Sequence, residues 1–306
     1  MGEIQDPPHA GGNQTIRHRL RRPRWHSNHP DLQPKPLRLF LQIIHMAIRF
    51  SIAAVVLGAI FWRRIWPVRR RWLIDGAWLG LWVAIAYLTQ VIGLTTITSS
   101  RSAFITSTYI FFTPFLAMAM GAGKPGPGEL VGVALALGGI FLFNSSAGFA
   151  LGPGELWTLG CALSFGVQIV ITNIVAKRSD AVALSWMQIA VCALFAWVFV
   201  AGRGGFHAPL ARISWGVMIY LGVMATALVI VIQTWAMART TPVKAALLFA
   251  TEPIFASIFA VSFFGEKMSG REVLGGALII LGVIVTEFWR PLVARLTHGR
   301  AGRASS

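Results

Sequence analysis

Charge is scarce in this chain. Only 12% of its 306 residues are Asp, Glu, Lys or Arg, while 55% are hydrophobic. Soluble domains carry roughly a quarter charged residues. A water-soluble fold of this size could not cover its surface with so few charges; a fold whose flanks meet lipid does not need to. Acids are scarcer still, 11 against 27 Lys and Arg, for a net charge of +16. A continuous basic face would suit nucleic acid. Here the basic residues fall in short clusters between apolar runs of about twenty residues, which is the pattern of membrane topology, so no nucleic-acid partner is expected. Cysteine is nearly absent. Cys161 and Cys192 are the only two, too few for a disulfide framework or a cysteine metal site, and both sit in apolar runs as packing residues. What is abundant is glycine, with 31 residues, as expected where helices approach closely in lipid.

The first 38 residues are rich in Pro, Arg and His and contain no apolar stretch long enough to span a bilayer, nor the apolar middle of a signal peptide. They read as a disordered basic tail. From Leu39 the pattern changes. A spanning helix takes about 20 mostly apolar residues, and nine such runs follow: 39–62, 73–95, 102–121, 128–145, 153–175, 181–201, 214–237, 243–264 and 272–289. Gly, Pro or charge marks most of the breaks, as at Arg63-Arg64, Arg69-Arg70-Arg71, Gly123-Lys124-Pro125 and Lys177-Arg178. The expected fold is an all-α membrane protein of about nine transmembrane helices, with a basic tail at 291–306.

A shift of 143 residues aligns 84–143 with 227–286 without a gap. Gln90 then meets Gln233, Thr98 meets Thr241, Lys124 meets Lys267 and Glu129 meets Glu272, while Arg101 meets Lys244 with its charge kept. Apolar runs align easily by chance; polar residues at one constant shift do not. The matched helices are the second and the seventh, five crossings apart, so they run in opposite directions. The chain is an inverted-topology repeat, an architecture of secondary transporters.

The segment 241–287 carries Glu252-Pro253, then Gly265-Glu266-Lys267, then Gly275-Gly276. It resembles the last two helices of EamA-type transporters of the drug/metabolite transporter superfamily, and 99–143 resembles the same unit in the first half. The resemblance covers 39–290. It implies a first repeat at 39–145 and a second at 153–290, from a family pattern of five plus five helices with both termini cytoplasmic. The family's first helix has no counterpart here. The run 39–62, with Arg49-Phe50, resembles the family's second helix. Charge supports the same registration. If the Arg63–Arg71 loop is cytoplasmic, thirteen basic residues lie inside and five outside. The basic N-terminal tail alone opposes this topology, which points to residues 1–38 being a misread or degenerate start in place of that helix, or a true external tail.

Ionisable groups inside a bilayer are costly and ask for a reason. Glu252 reads as mid-helix and, apart from helix ends, is the only acid within the apolar runs. It could serve substrate binding or proton coupling, or it could satisfy backbone freed by Pro253. Arg49 lies near the centre of its helix, with His45 one turn earlier on the same face. Arg49 could bind an anion, pair with Glu252, or snorkel; His45 reads as a packed histidine. Gln90 and Gln233 should approach the midplane through the repeat's pseudo-two-fold axis. Ser164 and Gln168, four apart, share the face that the resemblance turns toward the central cavity. Tyr87, Tyr109 and Trp235 offer aromatic walls. No nucleotide loop, metal set or nucleophile–base pair is legible, so neither an enzyme nor a cofactor is expected. The reading is therefore an inner-membrane secondary transporter, multi-pass with a cytoplasmic C-terminus. It would export a small metabolite, such as an amino acid, by alternating access. Its partners are the lipid bilayer and its substrate, with room left for a homodimer. The competing reading is a degenerate or scaffold membrane protein without transport.

Overall fold

The computed structural model describes residues 35–143, 152–202, 214–264 and 268–301. The segment 1–34, read above as tail, lies outside the described residues. Every described element is helical. Among the described residues, eight helical stretches are long and apolar enough to cross a membrane, and Pro127–Leu142 is a shorter apolar helix that makes a ninth. Helix α1 (Lys35–Ile65) is followed by α2 (Arg70–Gly93). The third crossing is split into α3 (Ser99–Ser107) and α4 (Tyr109–Ala119). Then come α5 (Pro127–Phe143), α6 (Pro153–Ala176) and α7 (Ala181–Gly202). The seventh crossing consists of α8 (Trp215–Gly222), a π-helical turn at Val223–Leu228 and α9 (Val229–Met237). The eighth is split into α10 (Pro242–Phe249) and α11 (Glu252–Phe264), and α12 (Gly270–Ala301) closes the chain. Two boundaries differ from the sequence reading. Residues 35–38 begin α1 rather than ending a tail, and 291–301 continue α12, where Leu, Ala and Arg favour helix once a turn is in place.

The repeat is visible in local chemistry. Thr98 caps α3 by accepting from the Arg101 N–H at 3.4 Å, and its mate Thr241 caps α10 by accepting from the Lys244 N–H at 3.2 Å. The Glu129 carboxylate accepts from the Gly126 N–H at 2.9 Å, and its mate Glu272 accepts from the Ser269 N–H at 2.6 Å. The two split crossings break at mates as well. The hydroxyls of Thr108 and Thr251 each donate to the carbonyl three residues back, Ile105 and Leu248, both at 2.6 Å. Such back-bonding bends a helix, and here it ends one half-helix and begins the next.

Mates pack against each other. The α5–α12 seam is antiparallel and close. A Cβ added at Gly139 would lie 2.5 Å from the Gly275 carbonyl oxygen, and one at Gly282 would lie 2.6 Å from the Gly132 carbonyl oxygen. These are the same contact seen from each repeat, since Gly139 mates with Gly282 and Gly132 with Gly275. The pseudo-two-fold axis therefore crosses this seam near Ala136 and its mate Ile279, which are 0% and 1% exposed. Helices α1 and α7 are likewise mates in contact. Trp186 Nε1 donates to the Ala54 carbonyl at 3.0 Å and Trp197 Nε1 to Ser51 Oγ at 2.9 Å. Mates in contact straddle the axis, so the axis runs from the α1–α7 contact to the α5–α12 seam at Ala136 and Ile279. Because the repeat is inverted, that axis lies in the membrane plane.

Helix α6 has no described mate. It is the most enclosed span, 67% buried against 22% for the seventh crossing and 24% for the eighth. It lies across α2, with Gly93 and Gly154 nearly touching: a Cβ on Gly93 would be 2.9 Å from the Gly154 carbonyl oxygen. It also packs on α3 and α4. The residues that the shift would pair with α6, 10–33, fall outside the described ones.

Candidate functional site

A cavity of about 570 Å³ lies on the axis between α2, α6, α7, the π-helical turn and α9. Five mate pairs line it: Val83 with Thr226, Tyr87 with Ile230, Gln90 with Gln233, Thr106 with Phe249, and Tyr109 with Glu252. A second lobe of about 400 Å³ adjoins it and shares Gln90, Thr106, Tyr109, Phe249 and Glu252. Both members of each pair face one space, as the pseudo-two-fold axis requires. Helix α6 adds Phe165, Gln168 and Ile169, and α7 adds Gln188.

Local structure sets these side chains. The split at Thr251 makes Glu252 the first residue of α11, so the carboxylate faces the lobes from a helix N-terminus, where the dipole favours negative charge. Glu252 is therefore mid-membrane but not mid-helix, a correction to the sequence reading. Its mate Tyr109 occupies the same position at the start of α4. Tyr109 is 9% exposed and clusters with Ala162 and Ile169 of α6. Glu252 is exposed, because no described helix covers α11 as α6 covers α4. In the π-helical turn the Thr226 hydroxyl donates to the Leu221 carbonyl at 2.9 Å, five residues back, and single π turns of this kind often mark functional sites. Gln90 Nε2 reaches Thr106 Oγ1 at 3.4 Å, Gln168 Nε2 donates to Thr172 Oγ1 at 3.0 Å, and Gln188 Nε2 donates to Thr234 Oγ1 at 3.2 Å. Tyr87 is held edge-on between Phe50 of α1, 5.3 Å away, and Phe165 of α6, 5.8 Å away.

Of the residues singled out by sequence, Tyr87, Gln90, Tyr109, Gln168, Gln233 and Glu252 line the cavity, and Ser164, Trp235, Arg49 and His45 do not. Ser164 is buried, and its hydroxyl donates to the Gly160 carbonyl at 2.8 Å, a local bond that satisfies it. Trp235 is 53% exposed on the outer face, with the Arg239 guanidinium 3.9 Å from its ring centroid. It resembles an interface anchor. Arg49 does not line the cavity and forms no ion pair with Glu252; it stacks on Phe50 at 5.1 Å and Tyr87 at 5.4 Å. His45 is exposed, not packed. Gln188 and Thr226 escaped the sequence reading. Gln188 had a signal, since it is the mate of His45, one of the few polar residues in α1. Both cysteines are fully buried, as expected. Among the described residues no cluster of metal-ligating side chains is present.

One end of the bundle is tied by polar bonds. Buried Asn173 donates to the Met237 and Thr240 carbonyls, each at 2.7 Å, and accepts from Lys177 at 2.9 Å. Arg178 meets Asp75 at 3.1 Å and Arg64 meets Asp180 at 2.8 Å. These last two pairs join the repeats.

Family comparison agrees with this arrangement. The model of the EamA-like transporter family matches twice, over residues 39–145 and 152–288. The chain belongs to the EamA-like transporter family. An uncharacterized transporter of Archaeoglobus fulgidus is 27% identical over 214 residues, covering 70% of this chain and 68% of that one. A WAT1-related chloroplastic protein of Arabidopsis thaliana is 25% identical over 142 residues, 45% of this chain and 34% of that one. A solved crystal structure at 17% identity superposes with a TM-score of 0.69, covering 82% of this chain and 89% of that one; it bears on the fold. This EamA member is thus a multi-pass membrane protein of a transporter family.

Proposed function

We propose that this EamA member is a secondary transporter that exports a small metabolite, an amino acid or a related compound, across a bacterial-type inner membrane by alternating access. The observation that carries this reading is the cavity on the pseudo-two-fold axis, lined by five mate pairs. An inverted repeat can present such a cavity to either side by exchanging the conformations of its halves. The lining suits a small polar molecule with an apolar part. Gln90, Gln168 and Gln233 offer amide donors and acceptors, Tyr109 and Phe165 offer rings, and Glu252 carries the charge. With no nucleotide-binding loop in the sequence, an ion gradient or exchange supplies the drive, and the protein is read as a carrier rather than an enzyme. Its C-terminus is cytoplasmic by the basic-residue count.

Comparison of extracellular metabolites between cells producing the wild type and cells producing Gln90→Ala or Gln233→Ala tests the reading. A compound enriched in the medium by the wild type should fall about tenfold with either variant, the scale of one lost hydrogen bond to a polar substrate, at equal protein abundance. No enriched compound with abundant, folded protein in the membrane would favour a non-transporting scaffold.

A further inference from the structure

Arg49 is a costly charge that the site described above does not use. It lies within the membrane-spanning stretch Leu39–Ile65, away from both ends. Its Nε is buried without a hydrogen-bond partner, and none of the ion pairs among the described residues includes it. A guanidinium in this position is rarely retained without an anion in some state of the protein. Stacking on Phe50 and Tyr87 offsets part of the cost but leaves the donor open.

Tyr87 connects this charge to the cavity. Tyr87 lines the main lobe, and the Arg49 guanidinium carbon lies 5.4 Å from its ring centroid. Arginine has no acceptor, so in any hydrogen bond between the two Tyr87 Oη accepts. The phenolic proton is then free to donate to something else. Tyr87 and Glu252 line the same cavity, and among the described residues no ion pair joins Arg49 to Glu252. Resting on the transport reading above, we propose that Arg49 and Tyr87 form the carboxylate end of the substrate site, opposite an ammonium end at Glu252. The pair thereby selects zwitterions over amines that lack a carboxylate. Tyr87 makes the contact by donating its O–H to the carboxylate. Arg49 is a positioning residue: it orients that hydroxyl and supplies the positive charge behind it.

The test is a binding assay on the full-length protein in lipid nanodiscs. Each of the twenty proteinogenic amino acids is compared with its decarboxylated amine and its deaminated acid. At least one amino acid should bind about tenfold or more tightly than either analogue, the scale of a hydrogen bond to a charged group. Tyr87→Phe, which keeps the ring, should bring the amino acid and its amine to within about threefold while preference over the deaminated acid persists. Glu252→Gln should do the reverse. Arg49→Lys keeps a charge but loses the planar fork and should weaken amino-acid binding about tenfold with amine binding unchanged. The proposal is overturned if an amine binds as well as its amino acid, if Tyr87→Phe leaves the preference intact, or if no amino acid binds the folded protein. An exported compound without a carboxylate would also overturn it while leaving the transport reading in place.

Discussion

Single residues in this cavity are readable because the repeat compares each with a mate. Gln90 and Gln233 were legible as a pair from their constant shift, and both reach the cavity. Trp235 and Ser164 were misread because a helical face inferred from spacing does not say whether it meets the cavity or lipid. The shift pairs Trp235 with apolar Ile92 and leaves Ser164 with a residue outside the described ones, so no described polar mate arbitrates. Glu252 and Tyr109 show what the comparison adds. Two residues at the same position differ in exposure and in chemistry, so the site is symmetric in shape but not in charge. A cavity-lining carboxylate that exchanges protons during transport leads to one expectation. Glu252→Gln should still exchange substrate across proteoliposomes but lose accumulation driven by a pH gradient. Accumulation equal to wild type would make Glu252 a structural residue.

At the level of elements, all nine crossings were legible within a few residues, because about twenty apolar residues is a strong signal. Their interruptions were not. The split at Thr251 has a hint in Pro253, but the mate split at Thr108 has no Pro or Gly beside it and arises from a threonine back-bond. The π-helical turn is spelled Val-Met-Ala-Thr-Ala-Leu, a sequence any apolar helix could carry. The seam of α5 and α12 was better marked, since four mated glycines meet there. Without a hydrophobic driving force between helices in lipid, that close approach supplies the packing. Gly139→Leu must push the helices apart, because even a Cβ would lie 2.5 Å from the Gly275 carbonyl oxygen. Overpacking of this kind costs about 1–3 kcal/mol or more, and a fall in melting temperature of the purified protein should report it. The mate variant Gly282→Leu should fall by a similar amount, and a tolerant response at both positions would argue that the seam is looser than described.

At the scale of the whole molecule, the described residues form two inverted halves with paired helices on the axis and the cavity between them. Its orientation follows from charge. Reporter fusions at Arg71 and Arg300 should both report the cytoplasm, and opposite signals would break the nine-crossing count. The central claim, however, is that the cavity is reached from each side in turn. The protein suits a direct measurement, because its two native cysteines are fully buried and should stay silent to a membrane-impermeant thiol reagent. Gln233→Cys, in the cavity wall, can then be labelled in right-side-out and in inside-out vesicles. The account predicts labelling in both preparations, each well above the wild-type background. Labelling from one side alone, with the protein folded and abundant in both, would contradict alternating access and leave a fixed pocket.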